Sequence, residues 1–158
     1  MNRLSMGEKL LGGSAVVLFL LSFLDYWAKV EIEGGGTEIT ERFTAWDAYG
    51  FLLKLGLILA AVAAGLVIAR AANANLSIPW SNVYRGLAVA TLVLVAITLL
   101  LGPDESGSFS NELGSVEISR GIALFIGTVL AALMAAGAWM HSDDGTATAT
   151  SPGAAPAA

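Results

Sequence analysis

Residues Phe51 to Ala69, FLLKLGLILAAVAAGLVIA, form an unbroken run of 19 residues in which Lys54 is the only charge. As a helix rising about 1.5 Å per residue the run is about 28 Å long, close to the thickness of a bilayer's hydrocarbon core. It reads as a transmembrane helix. Three further runs match it in length and apolarity, and together they predict spans over residues 10–27, 49–69, 85–101 and 121–140. The fold class expected is therefore an all-α membrane protein, a four-transmembrane-helix bundle. Its domain covers residues 1–141, and a low-complexity cytoplasmic tail over 142–158, SDDGTATATSPGAAPAA, is expected to be disordered.

Composition supports a bilayer as solvent. Apolar residues make up 56% of the 158 and charged residues 13%, where globular domains hold about 45–50% and about 25%. There is no cysteine, so disulfides, thiolate metal sites and thiol nucleophiles are excluded. Ten of the thirteen acidic residues fall between Asp25 and Glu117, around two connections expected on one side of the membrane. The acidic balance of that side argues against a nucleic-acid partner there.

The first apolar run ends in Asp25, Tyr26 and Trp27, an interfacial ending rather than a small-residue cleavage site, so it reads as a retained helix and not a signal peptide. The connection that follows alternates, Val30-Glu31-Ile32-Glu33 and then Glu38-Ile39-Thr40, around Gly34, Gly35 and Gly36. Such a pattern fits a β-hairpin. Val116-Glu117-Ile118 in the other acidic connection would supply a third strand of a small extracytoplasmic sheet; two solvated irregular loops is the competing reading. Lysines and arginines near the helix ends are almost evenly divided. Arg3 and Lys9 precede the first helix, and the short middle connection carries only Arg70 and Arg85, which places both termini in the cytoplasm of a multi-pass protein of the cell membrane. Trp27, Trp46, Trp80 and Trp139 all fall near helix ends, as interfacial anchors do.

Two tryptophan motifs, Leu24-Asp25-Tyr26-Trp27 and Thr44-Ala45-Trp46-Asp47-Ala48, resemble those of a loosely defined group of small four-helix membrane proteins common in actinobacteria. Asp25 stands where that group usually has proline. The resemblance implies an architecture and a bacterial plasma membrane, and no chemistry. Claudin-like proteins share the layout of four helices and a two-loop sheet, without the sequence.

Small residues recur every four positions on two helices, Gly56, Ala60 and Ala64 with Ala61 and Gly65 on the second, and Gly127, Ala131 and Ala135 on the fourth. They are expected to pack these two helices together inside the monomer, with self-association as the alternative. Lys54 shares a face with Ala61 and Gly65, and Asp25 shares one with Ser22, Leu18 and Ala15. A charge inside a span seeks a partner or the interface, so a buried Asp25–Lys54 ion pair is expected, with a snorkelling lysine as the competing reading. His141, the only histidine, reads as a solvated helix-end residue beside Asp143 and Asp144. Ser5, Ser14, Ser22 and Ser77 have no base within reach, and no phosphate loop or metal-ligand spacing occurs. No catalytic, cofactor or metal site is read. The expected function is that of a non-enzymatic accessory or structural membrane protein, whose partners are lipid, other membrane proteins or itself. The alternative is a small transporter or channel component using Asp25 and Lys54.

Overall fold

The structure, a computed structural model, describes residues 4–34, 36–72, 79–102, 108–111 and 114–146. Its elements in order are α1 (Met6–Leu21), β1 (Ala28–Gly34), β2 (Thr37–Phe43), a single turn α2 (Ala45–Ala48), α3 (Phe51–Ala71), α4 (Trp80–Leu101), β3 (Ser108–Asn111), β4 (Gly114–Arg120) and α5 (Ile122–Thr146).

Three helices are long and apolar enough to cross a membrane: α3, α4 and the Ile122–His141 part of α5, with mean hydropathies of 2.5, 2.1 and 2.1. At most 39% of any of these windows is buried within the chain, so most of their apolar surface looks outward, where only lipid would accept it. α1 is shorter, 16 residues, because it starts and stops differently from the predicted span. It begins at a capping box, in which the Ser5 hydroxyl accepts from the Glu8 amide and the Glu8 carboxylate accepts from the Ser5 amide. It ends at Leu21 because the Ser22 hydroxyl donates to the Phe19 carbonyl and the Trp27 indole turns back to donate to the Leu21 carbonyl, 2.7 Å away. α4 starts five residues before its predicted span, just after Pro79, and α5 runs on to Thr146, into the predicted tail. The rest of that tail lies outside the described residues.

Four helices pack in a ring in which α1 touches α3 and α5, and α4 touches the same two. α3 and α5 stand diagonally, so the expected contact between their small-residue stripes is not made. Each stripe serves a different neighbour. Gly56 packs on Leu94 and Val95 of α4, whereas Gly127 lies under the Trp27 ring and Leu18. Ala60, Ala64, Ala131 and Ala135 are buried between helices, but Gly65 opens outward with no atom near its α-carbon face. The closest helix approach went unread in the sequence: α1 and α5 cross at Gly7 and Gly137, where a methyl group on Gly7 would fall 2.6 Å from the Gly137 carbonyl oxygen.

At one end of the ring sits an antiparallel four-stranded sheet in the order β2-β1-β4-β3, so the hairpin and the third strand expected from the alternation are both present. Gly36, at φ +84°, turns the hairpin.

Candidate functional site

The end of the ring opposite the sheet collects the described chain's most buried charge. Glu8, in the first turn of α1, is 2% exposed. One of its carboxylate oxygens closes the capping box, and the other lies 2.8 Å from a guanidinium nitrogen of Arg70 in the last turn of α3, an ion pair whose angles miss a hydrogen bond. The same Arg70 nitrogen is 3.2 Å from Nε2 of His141 on α5, and His141 Nδ1 is 3.3 Å from the Ser5 hydroxyl. A guanidinium only donates, so His141 Nε2 must accept and Nδ1 must carry the proton it gives to Ser5. The tautomer is thereby assigned. Ser5, Glu8, Arg70 and His141 close a loop across three helices, and α4 adds two aromatic walls. The Arg70 guanidinium lies over the Trp80 ring at 5.5 Å, and the Tyr84 ring meets His141 edge-on at 5.5 Å. The Tyr84 hydroxyl is buried, within electrostatic reach of Glu8 and Arg70. Arg85 stacks over Trp139 beside the cluster, at 5.7 Å.

His141 is therefore not the solvated residue expected. Three helix ends cover it. The signal for this cluster was in the sequence: Ser5-x-x-Glu8 is a capping box at the start of α1, and α3 and α5, both antiparallel to α1, end at that same side with Arg70 and His141.

The expected Asp25–Lys54 pair is absent. α1 ends before Asp25, which is exposed on the wall of an open groove of about 560 Å³ lined also by Phe23, Leu24, Tyr26, Thr40 and Arg42. Lys54 sits one turn into α3 on the outward, half-buried face it shares with Ala61 and Gly65, not on the face toward the bundle. Among the described residues the ion pairs are Glu8–Arg70 and Lys29–Glu31.

The sheet end is fastened through Trp27, which is fully buried rather than interfacial. Its carbonyl accepts from the Tyr49 hydroxyl at 2.8 Å and from the Gly121 amide at 2.7 Å, and its amide donates to Phe43. Burial pushes the Tyr49 phenol up to about 12, partly countered by the charge of Arg120. Trp46 and Trp80 are half-buried, Trp46 donating to the Ser22 hydroxyl at 3.0 Å, and only Trp139 is openly exposed.

Residues paired across the strands share a face, so the register sorts the sheet's side chains. One face carries Ala28, Val30, Ile32, Ile39, Glu41, Phe43, Ile118 and Arg120. Only its first rung meets the helices, where Ala28 is buried, Phe43 packs on the core and Arg120 donates to the Leu100 carbonyl at 2.9 Å; Ile32, Ile39 and Glu41 farther along are exposed. The other carries Lys29, Glu31, Glu33, Glu38, Arg42 and Glu117, with Glu33 directly opposite Glu38 and Glu31 opposite Glu117. Among the described residues no group of three histidines or carboxylates is placed to hold a metal. No protein-family model matches the chain, and no curated protein matches it.

Proposed function

We propose that the chain is a four-span protein of the cell membrane that works through contact rather than chemistry, with the sheet as its platform outside and both termini in the cytoplasm. The observation that carries this reading is the sheet: it is fastened to the helix ends at one rung, Ala28, Phe43 and Arg120, and beyond that rung it exposes Glu33, Glu38 and Glu41. A crossing by α1 is supported by its two ends. Ser5 lies beside Arg70 and His141, whereas Trp27 lies beside Gly121 at the sheet, so α1 and the turn after it run the full length of the ring.

The helix interior favours contact over transport. The hydroxyls of Ser14, Thr98 and Thr128 donate to carbonyls one turn back in their own helices, and the charged cluster occupies only one end. Thr91 is buried without a hydrogen bond, which is little on which to build a path. Photo-crosslinkers at Glu33 or Glu38 should capture a discrete species in native membranes, and one at lipid-facing Ile58 should not. Ion flux through reconstituted liposomes above that of empty vesicles would overturn the reading in favour of a channel component.

A further inference from the structure

The groove that holds Asp25 lies where the turn after α1 meets β2, and it is lined by two opposite charges. Asp25 comes from the turn and Arg42 from the strand, with Thr40 beside Arg42 and Phe23, Leu24 and Tyr26 completing the wall. The two charges do not neutralise each other. Neither side chain has an ion-pair or hydrogen-bond partner among the described residues. The Arg42 guanidinium lies over the Tyr26 ring instead, 5.0 Å from its centre, a stack that leaves its N–H edge open to an acceptor. Lys29, directly opposite Arg42 across the strand pair, is already taken by Glu31.

The depth of the groove narrows what can fill it. The Tyr26 carbonyl accepts from the Ala123 amide at 3.1 Å, in the first turn of the membrane-capable helix α5, where Ile122 is exposed. The groove therefore stands at the edge of the hydrocarbon. Val17 and Leu20 on α1, and Phe23 and Leu24 just past its end, are all exposed, so an apolar track runs from the groove along α1 into the bilayer. An apolar track on the membrane side, with a free cation and a free anion above it, matches the layout of a zwitterionic phospholipid.

We propose that this groove binds a phospholipid with a primary-amine headgroup, a phosphatidylethanolamine, with its phosphate on Arg42, its ammonium on Asp25 and an acyl chain along Leu24 and Leu20. A guanidinium holds a phosphate through parallel N–H donors, and an ammonium supplies the donors that the Asp25 carboxylate lacks. Other headgroups match less well. Choline has no N–H to give, and the aromatic face that would attract its quaternary ammonium is covered by Arg42. Phosphatidylglycerol satisfies Arg42 but sets no cation against Asp25, and a serine headgroup brings a second carboxylate to it. The site goes beyond the sheet's role as a protein-contact platform and needs only the spans of α3, α4 and α5, so either reading can fail without the other.

Native mass spectrometry of the delipidated full-length protein in detergent, titrated with lipids of matched acyl chains, reads the site directly. Phosphatidylethanolamine should bind about tenfold more tightly than phosphatidylcholine or phosphatidylglycerol, the scale of one charge-assisted hydrogen bond. Asp25→Asn should abolish that preference without weakening phosphatidylglycerol, a change of selectivity that a merely structural loss would not produce. Arg42→Gln should weaken every phospholipid about tenfold, and Arg42→Lys, which keeps the charge, should retain most of the binding. Equal binding of the three lipids overturns the proposal, as does a preference that survives Asp25→Asn or an affinity unchanged by Arg42→Gln. Glycerophosphoethanolamine, the same headgroup without acyl chains, should not displace the lipid at equal concentration. Displacement would make the groove a site for a soluble phosphate ester and overturn the lipid.

Discussion

At the scale of single residues, Glu8 and Arg70 carry the largest expected effect. Glu8 is almost without solvent, so Arg70→Met strands a buried carboxylate and Glu8→Gln leaves a guanidinium facing a neutral amide. Breaking a buried pair costs about 3–5 kcal/mol, and the lower end applies here because Arg70 is about one-third exposed (32%). The double variant should be less destabilised than the sum of the singles, measured as thermal stability in detergent. Asp25→Asn and Lys54→Met, by contrast, should be nearly silent and additive, since neither residue has an ion-pair partner among the described residues. Tyr49 gives a pH dependence of known sign. Its pKa is raised in the folded chain from the usual 10 to about 12, so its contribution to stability is full below pH 10 and is lost as pH climbs toward 12. Tyr49→Phe should remove that alkaline transition and cost about 1 kcal/mol at neutral pH, through the lost bond to the Trp27 carbonyl.

At the scale of elements, the small residues divide into those that permit contact and those that do not. Gly7→Ala or Gly137→Ala would place a methyl group within 2.7 Å of the facing helix's backbone, which cannot rotate away, so α1 and α5 must separate. Gly121→Ala is harsher still: its methyl would stand 1.9 Å from the Tyr26 carbonyl oxygen, where β1 meets the start of α5. Each should cost several kcal/mol, the range of a disrupted core. Gly65→Ala meets nothing and should stabilise α3 by about 0.5–1 kcal/mol, the ordinary gain of alanine over glycine in a helix. Melting temperatures of the four variants in one detergent would separate the two classes. Equal effects would mean that α1 and α5 do not approach closely.

At the scale of the whole molecule, the ring has two unlike ends. The sheet, with its carboxylates, closes one, and the Glu8–Arg70–His141 cluster closes the other, so a single orientation decides what each meets. Cysteines at Glu33 and at Asn82, both on exposed positions, should therefore behave oppositely in intact cells. An impermeant maleimide should label Glu33→Cys at once and Asn82→Cys only after lysis; the reverse pattern would invert the orientation, and labelling of both without lysis would break the crossing by α3 between them.

Some of this follows from the chain's pattern alone. Length and apolarity determine that α3, α4 and α5 can cross a bilayer, because those are sums over consecutive residues that no neighbour can change. The period-two alternation of β1 and β2 is equally local, and their hairpin is present. What only the tertiary structure decided is which faces meet. The stripes on α3 and α5 match each other in sequence, yet the ring sets them diagonally and gives each a different partner, because which helices are neighbours depends on all four at once. Lys54 and Asp25 suggested a pair through spacing measured on continuous helices. α1 stops at Leu21 when Ser22 and Trp27 cap it, and an aspartate outside the helix keeps no helical face. Glu8, Arg70 and His141 lie 62 and 71 residues apart along the chain, and only the return of three helices to one end brings them into contact.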